Sequence, residues 1–319
     1  MSGPLSIEVV KPGLLSTFQD LGRRGQQHLG VPLNGVMDER AHRTANWLVG
    51  NAPGAATLEM TLLGPNLRFG APVRIALSGA DLSATLNGQP VPLNEAVQAA
   101  AGDVLAFGAP KRGIRAYLAV EGGYALEPVM GSMSTNVRAG FGGLGGKPLR
   151  KDVSIPLSPA PGRTLPVRGA LPAFAADIMR EPDAPLRVMA GREHDMFTQE
   201  SLRAFGAEAY QITPQSDRMG YRLKGPPLER RRTTEMLSEA VTAGTVQVPP
   251  DGQPIVLMAD CQTSGGYPRI AHVAWVDLPR LAQCAPGARL RFEWIDLAEA
   301  QRLAVSQARV FGAMENGTA

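Results

Sequence analysis

The sequence predicts a mainly β protein made of two similar β-rich domains with a few short helices. Three observations carry this prediction. Gly (36) and Pro (27) together make up about a fifth of the 319 residues, and these are the residues that most weaken a helix interior. Short runs of β-branched and large apolar residues recur, each closed by Gly, Pro or Asn. The two halves also repeat a similar order of motifs. A hydrophobic share of 44% against 19% charged residues supplies a sizeable core and argues against disorder. The length suggests about two domains.

Taken in order, LSIEVV, TLEMTL, VRIALS and RAYLAV are the clearest strands of the first half. One helix interrupts them. Asp38 is its expected N-cap, and Met37, Ala41, Ala45 and Leu48 recur at helical spacing. Gly50 and Asn51 stop it, with Pro53 just beyond. Residues 156–185 hold seven prolines and few periodic apolar positions, the composition of an inter-domain linker. The pattern restarts at LRVMAG, with a helix around DMFTQESLRAF and strands at YQIT, TVQVP, PIVLMA and RLRFEWI. A last helix starts at Asp296, with Glu299 in capping-box spacing, and ends near Arg309. The expected division is an N-terminal barrel domain over 1–155, the linker, a C-terminal barrel domain over 186–310 and a flexible tail over 311–319.

The repetition between halves is specific in places. QDLGRRG, TLEMTL, RIALSGADLSA and AAGDVLAF are followed by QSDRMGYR, MLSEAV, PIVLMADCQTS and CAPGARLRF. Glu59 precedes Asp81 by 22 residues, and Glu239 precedes Asp260 by 21. A degenerate duplication with a pseudo-two-fold arrangement explains this; generic strand–turn composition is the alternative. Ligand sites favour the cleft between domains.

Composition excludes several classes. The formal charge is +3 and the pI about 9.0, without a basic run or an RNA-reading motif, so nucleic acid is not an expected partner. Aromatic residues make up 5%, too few for a single-strand stacking platform. The start, MSGPLSIEVV, lacks the pattern of a signal peptide, and no apolar stretch approaches the ~20 residues that span a bilayer. Cys261 and Cys284 form no C-x-x-C pair. A cytoplasmic protein with reduced thiols is expected. No metal site is expected either, because His194-Asp195 is a lone adjacent pair. G-x-S-x-G is missing.

Three constellations remain. In AGFGGLGGKPL, Gly140, Gly142 and Gly145 match G-x-G-x-x-G, but Lys147-Pro148 follows where a helix should start. Pro148 also takes the place of the Walker Ser/Thr. A flexible loop is the expectation, with a gating role open. In MADCQTSGGYPR, an apolar strand ends at Asp260, and Gln262, Thr263, Ser264, Gly265, Gly266, Tyr267 and Arg269 follow. The segment gathers a carboxylate, donors and a cation at a strand end, where glycines let backbone N–H groups approach a ligand. It reads equally well as a strand-to-turn junction capped by Asp260. Cys261 reads as a semi-buried filler rather than a nucleophile. In SDRMGYR, Arg218 can hold a carboxylate bidentately or serve a structural ion pair. Gln19, Asp20, Arg23 and Arg24 carry the same ambiguity, and Asn46 and Trp47 read as packing and capping.

Together these stretches resemble the biotin-dependent carboxyltransferase family. FQDLGRRG, GVMDERAHRTANWLVGN, LEMTLLGPNLRF, ALSGADL, RAYLAVEGG and GSMST occur in the family's order, as do SDRMGYRL, GTVQVPPDGQPIVLMADCQTSGGYPRIAHV and LAQCAPGARLRF. The resemblance covers about Leu5 to Glu299. Members include the 5-oxoprolinase C subunit (PxpC), KipA and allophanate hydrolase subunit 2, and a similar region forms part of urea carboxylase. Three departures stand out: GSMST in place of GSRST, Lys147 for Arg, and Lys151-Asp152 for Gly-Asp.

The resemblance implies two cyclophilin-like β-barrel domains and a subunit 1-type partner (PxpB or KipI). It implies the C subunit of an ATP-dependent 5-oxoprolinase, which opens 5-oxoproline to glutamate with A and B subunits (PxpA-like and PxpB-like). ATP would act with those partners. No MKM-type site for covalently attached biotin is present. A carboxyltransferase acting on urea or a similar amide is the alternative, and a KipA-like regulator without turnover the third. For the first reading, Ser264 and the Gly265 and Gly266 backbone would hold charge developing on the lactam oxygen. Arg218 would anchor the substrate carboxylate, Asp260 would orient the ring N–H, and Tyr267, Gln262 and Gln247 would line the pocket.

Overall fold

The computed structural model describes residues 5–159, 184–232 and 236–316. The chain is mostly β and divides into two compact units. The first takes the N-terminal half except Arg24–Leu33, together with the last residues of the chain; the second takes Arg24–Leu33 and the C-terminal half to Gly312. Residues 160–183, most of the proline-rich stretch 156–185, lie outside the described residues.

The first unit holds a six-stranded and a five-stranded sheet. Strand Ser6–Lys11 shows why they face each other. Ile7 and Val9 are fully buried while Glu8 between them is exposed, the two-residue period of a strand with one face to the core. Leu67 and Phe69 join them from the same sheet, and Leu58, Met60, Ile75, Leu77 and Leu118 from the other, to make one core. Each such side chain contributes about 1.5–3 kcal/mol by leaving water.

The five-stranded sheet runs Leu15–Gln19, Thr57–Thr61, Arg112–Val120, Val73–Asp81, Ala96–Ala99, all antiparallel. RAYLAV reads as an unbroken apolar run because both of its faces are covered. Helix Glu39–Leu48 lays Ala41, Ala45 and Leu48 on Ala76, Tyr117 and Ala119 of the outer face. Asp38 caps this helix as expected, accepting from Ala41 N–H at 3.0 Å. Asn46 holds the following turn by donating to Ala55 O at 2.7 Å, and Trp47 Nε1 donates to Met314 O.

The second unit is built on one eight-stranded sheet, with a separate two-stranded ladder of Glu239–Ala240 and Ser264–Gly265. The order in the eight-stranded sheet is Arg289–Leu290, Tyr210–Ile212, Gly220–Lys224, Ile255–Leu257, Thr245–Gln247, Arg269–Val273, Leu186–Ala190, Phe292–Trp294. The two edge strands are separated in the chain by Arg291 alone. One segment therefore borders both edges, and the sheet curls into a nearly closed barrel. RLRFEWI reads as one strand in the sequence; it divides at Arg291 because its halves pair with different neighbours, Tyr210–Ile212 and Leu186–Ala190. Strand Gly220–Lys224 escapes periodicity reading because Gly, Arg and Lys occupy three of its positions, yet Tyr221 and Leu223 are buried.

Helix ends differ from expectation for local reasons. The helix expected around residues 195–205 runs Gln199–Ala207, because Thr198 Oγ1 caps Ser201 N–H at 3.1 Å. Its Phe205 stacks on Phe292 at 4.3 Å between centroids. The last helix begins as read, with Asp296 accepting from Glu299 N–H at 2.7 Å. It continues past Arg309 to Asn316. Residues 311–316 are thus helical rather than a flexible tail, and burial of Phe311 and Met314 extends the helix. No described helix is long and apolar enough to cross a membrane.

Candidate functional site

The segment following strand Ile255–Leu257 gathers most of the residues singled out in the sequence. Arg218 and Asp260 meet there, but each meets the other. Arg218 Nε donates to Asp260 Oδ2 at 2.9 Å and Nη2 to Oδ1 at 3.0 Å. Asp260 N–H also donates to Arg218 O at 2.8 Å. Their side chains are 7% and 14% exposed. This buried bidentate pair ties the loop start to the SDRMGYR turn. It is the structural ion pair left open for Arg218 in the sequence, and it holds the loop.

Gln247 sits under the loop, buried on strand Thr245–Gln247. Its amide donates to Tyr267 O at 3.2 Å, and its Oε1 accepts from Gln262 Nε2 at 3.4 Å. A Cβ at Gly265 would stand 2.7 Å from Gln247 Nε2, so a larger residue there would make the Gln247 amide shift. Ser264–Gly265 also pairs antiparallel with Glu239–Ala240, and Val241 N–H donates to Thr263 O at 3.1 Å. Alternation along an antiparallel ladder turns Gly265 N–H toward Glu239. Gly265 is therefore a strand residue and not an open backbone donor. Ser264 and Gln262 are exposed, Gly266 is half-buried and Tyr267 is 47% exposed.

Beyond this short ladder lies a charge network of which the sequence reading noted only Arg269 and, for its spacing, Glu239. Arg269 Nε donates to Glu193 Oε2 at 2.6 Å and Nη2 to Glu239 Oε2 at 2.7 Å, and Nη2 also pairs with Glu193 Oε1. Arg192 Nη1 lies 3.3 Å from Glu239. Burial would raise the Glu193 carboxyl, but the Arg269 guanidinium and N–H outweigh it and hold it below the ordinary range. Glu193, then Glu239, raise the Arg269 pKa in turn. Arg192, Val241, Thr242, Thr245, Arg269 and His272 are among the residues lining a cleft of about 250 Å³. Burial lowers the pKa of His272.

Cys261 packs with Val241, Leu257 and Ile255. Burial, then the Asp260 charge, pushes its thiol up to about 12. A thiol that stays protonated is a poor nucleophile, which agrees with its reading as a filler. Among the described residues no three His, Cys, Asp or Glu side chains cluster as a metal would need.

In the first unit, QDLGRRG folds onto GSMST. Asp20 accepts from Ser132 Oγ, Ser134 Oγ and Met133 N–H, each at 2.6 Å, and from Gly22 N–H at 2.9 Å. Arg23 is fully buried and donates to Val129 O at 3.0 Å, Asn34 Oδ1 at 2.9 Å and Ser132 O at 3.3 Å. Met133 packs against the apolar core. The Gly-rich loop is not a free lid. Its Gly143 N–H donates to Met133 O at 2.9 Å and its Gly146 N–H to Gly142 O at 2.7 Å. A Cβ at Gly142 would overlap Ser134 O and Arg23 Nη2. Phe141 lies under Arg23 at 4.7 Å. Gly140 and Phe141 N–H donate to Asn136 O at 2.8 and 3.3 Å.

Comparison with known proteins places these features. The family described as "Carboxyltransferase domain, subdomain A and B" matches residues 29–294. The chain is 37% identical to the C subunit of 5-oxoprolinase from Escherichia coli over 305 residues, covering 96% of each chain. The Haemophilus influenzae protein of that name is also 37% identical, over 93% of this chain and 94% of its own length. The crystal structure of Kluyveromyces lactis urea carboxylase is similar with a TM-score of 0.91 and 29% identity, covering 98% of this chain but 29% of that longer one. With a match across most of its length and relatives aligned end to end, this chain belongs to the carboxyltransferase domain family of subdomains A and B.

Proposed function

We propose that this chain is the C subunit of an ATP-dependent 5-oxoprolinase, which opens 5-oxoproline to glutamate together with A and B subunits. The observation that carries the reading is end-to-end likeness, at 37% identity, to a protein named as the C subunit of 5-oxoprolinase. Likeness to urea carboxylase covers only 29% of that protein. The lactam amide is resonance-stabilised, so its carbonyl must be activated before water opens the ring. Donors aimed at the oxygen lower that barrier. Exposed Ser264 and the Gly266 backbone supply donors in this reading, and Tyr267 and Gln262 border them. Gln247 and the Arg218–Asp260 pair hold the loop that presents them. In this reading ATP acts with the partner subunits.

The test is reconstitution with A and B subunits. ADP and glutamate should appear from 5-oxoproline only when all three chains are present. Full reconstitution that yields neither product, while a biotinylated carrier supports carboxylation of urea, would replace this reading with the carboxyltransferase one, which the TM-score of 0.91 to urea carboxylase favours.

A further inference from the structure

The Gly-rich stretch takes no part in the proposed chemistry, yet it holds the charge of the chain. Residues 137–152 carry Arg138, Lys147, Arg150 and Lys151 against one acid, Asp152, a net +3 that equals the formal charge of all 319 residues. The rest of the chain is balanced, so the cationic excess is local. All four cations are exposed and belong to the first unit. Lys147 and Arg150 have no ion-pair partner among the described residues, and Lys151 only approaches exposed Asp152, at 4.0 Å. Arg68, Arg187 and Arg302, by contrast, each sit against an acid at 2.7–2.8 Å.

The backbone fixes these cations in one place. Asn136 N–H donates to Phe141 O at 2.8 Å and Gly140 N–H to Asn136 O at 2.8 Å, closing a turn that carries Val137 and Arg138. Asn136 Oδ1 accepts from Ala139 N–H at 2.9 Å. Gly146 packs on the base of that turn, where a Cβ would stand 2.1 Å from the Gly140 carbonyl carbon. Lys147 therefore emerges beside the Arg138 turn. Buried Leu149 donates its N–H to Ser16 O at 2.9 Å, and Asp152 N–H donates to Val9 O at 2.8 Å. Arg150 and Lys151 lie between these two anchors. Val137 and Met130, each 42% exposed, add apolar surface. Arg23 ties the Met130 turn to the loop, donating to Val129 O at 3.0 Å while its guanidinium covers the Phe141 ring.

We propose that this surface docks an acidic face of a protein partner, the B subunit. The choice of the B subunit as occupant rests on the 5-oxoprolinase reading. A loop already held by its own hydrogen bonds loses little freedom on binding. Exposed cations beside apolar side chains have the make-up of an interface with a polar rim. Phe141, the one aromatic residue of 137–152, is half-buried against Arg23, so no ring is presented for stacking on bases. A local positive field also speeds encounter with an acidic surface.

The experiment measures association of the purified full chain with purified B subunit on a biosensor at low and high salt. Lys147→Glu with Arg150→Glu should lower kon at low salt at least tenfold, and the gap should narrow as salt rises. Lys147→Arg with Lys151→Arg should bind as wild type. Arg222→Glu with Lys224→Glu, two exposed cations of the second unit, makes the same change in net charge and should leave kon within about twofold of wild type, because steering depends on charge near the docking surface. All six side chains are exposed, so melting temperatures should match wild type and separate lost docking from lost folding.

A B subunit that fails to bind the wild-type chain overturns the proposal. Equal effects of the two double reversals overturn it as well. Loss of binding to phosphatidylserine vesicles or to single-stranded DNA in the loop variant, with B binding unmoved, overturns it and reassigns the surface. Turnover by the wild-type complex with A and B subunits tests the function separately. Turnover of 5-oxoproline, with B binding unmoved by the loop reversal, leaves the 5-oxoprolinase reading standing without this surface. No turnover, with B binding lost only in the loop variant, overturns the function and supports the surface.

Discussion

Asp260→Ala should destabilise the second unit through the guanidinium it leaves behind. Arg218 and Asp260 are 7% and 14% exposed and share hydrogen bonds of 2.9 and 3.0 Å. Removing one member of a buried ion pair costs about 3–5 kcal/mol, because the remaining charge is uncompensated. The slight exposure of Asp260 lets water reach the gap, so the lower end, about 3 kcal/mol, is expected. That is roughly 10 °C in melting temperature for a unit of this size. Replacing both ions with apolar residues, in Arg218→Met with Asp260→Leu, should cost less than either single change. The assay is urea unfolding followed by tryptophan fluorescence in a Trp47→Phe background. Trp275 and Trp294 lie in the second unit and Trp47 in the first, so the signal then reports the second unit. Single variants within about 0.5 kcal/mol of wild type, the range of ordinary surface changes, or a double variant that is simply additive, would refute the holding role.

Other outcomes follow from the same structure. His42 is fully buried between Thr57 Oγ1 at 2.8 Å and Pro53 O at 2.9 Å, and burial lowers its pKa to about 4. Its contribution to stability is present above the unfolded value near 6.5 and is lost as pH falls from there through about 4, a loss of roughly 3 kcal/mol. Trp47 fluorescence during unfolding at pH 7 and pH 4 measures it, and a His42→Gln variant should flatten the slope. Gly142→Ala should cost the first unit about 2–4 kcal/mol through overlap and left-handed strain. Gly145→Ala, at φ +69° with nothing within 4 Å, should cost only about 1 kcal/mol; equal melting shifts for the two would contradict a loop held against Ser134. Iodoacetamide at pH 8 should alkylate half-buried Cys284 before Cys261, whose thiol pKa is about 12. Mass spectrometry of labelling against time checks the order.

Much of the local structure is legible in the sequence because local chemistry decides it. Asp38 and Asp296 are caps, and their side chains bond N–H groups three residues on, a distance a sequence displays directly. Alternation in LSIEVV marks a one-sided strand for the same reason. In the second-half motif the sequence shows a strand ending near Asp260, but Ser264–Gly265 becomes a strand only because Glu239–Ala240 lies beside it. Glu59 and Glu239 show the limit of the internal repetition. Glu59 is buried and accepts from Tyr117 Oη at 2.8 Å, whereas Glu239 is a partly exposed partner of Arg269. Similar spacing gives no warning of that difference, because burial depends on what packs across the sheet.

By itself the sequence determined a β-rich chain, punctuated by Gly and Pro, with capped helices and motifs whose order resembles one family. Tertiary structure alone decided how the charged residues are used. Arg218 finds Asp260 across 42 residues, Arg269 finds Glu193 across 76, and Asp20 finds Ser132 across 112. No periodicity encodes contacts at such separations. They follow from strand order, and from the cost of leaving a buried charge without a partner, which selects folds in which each ion meets its complement.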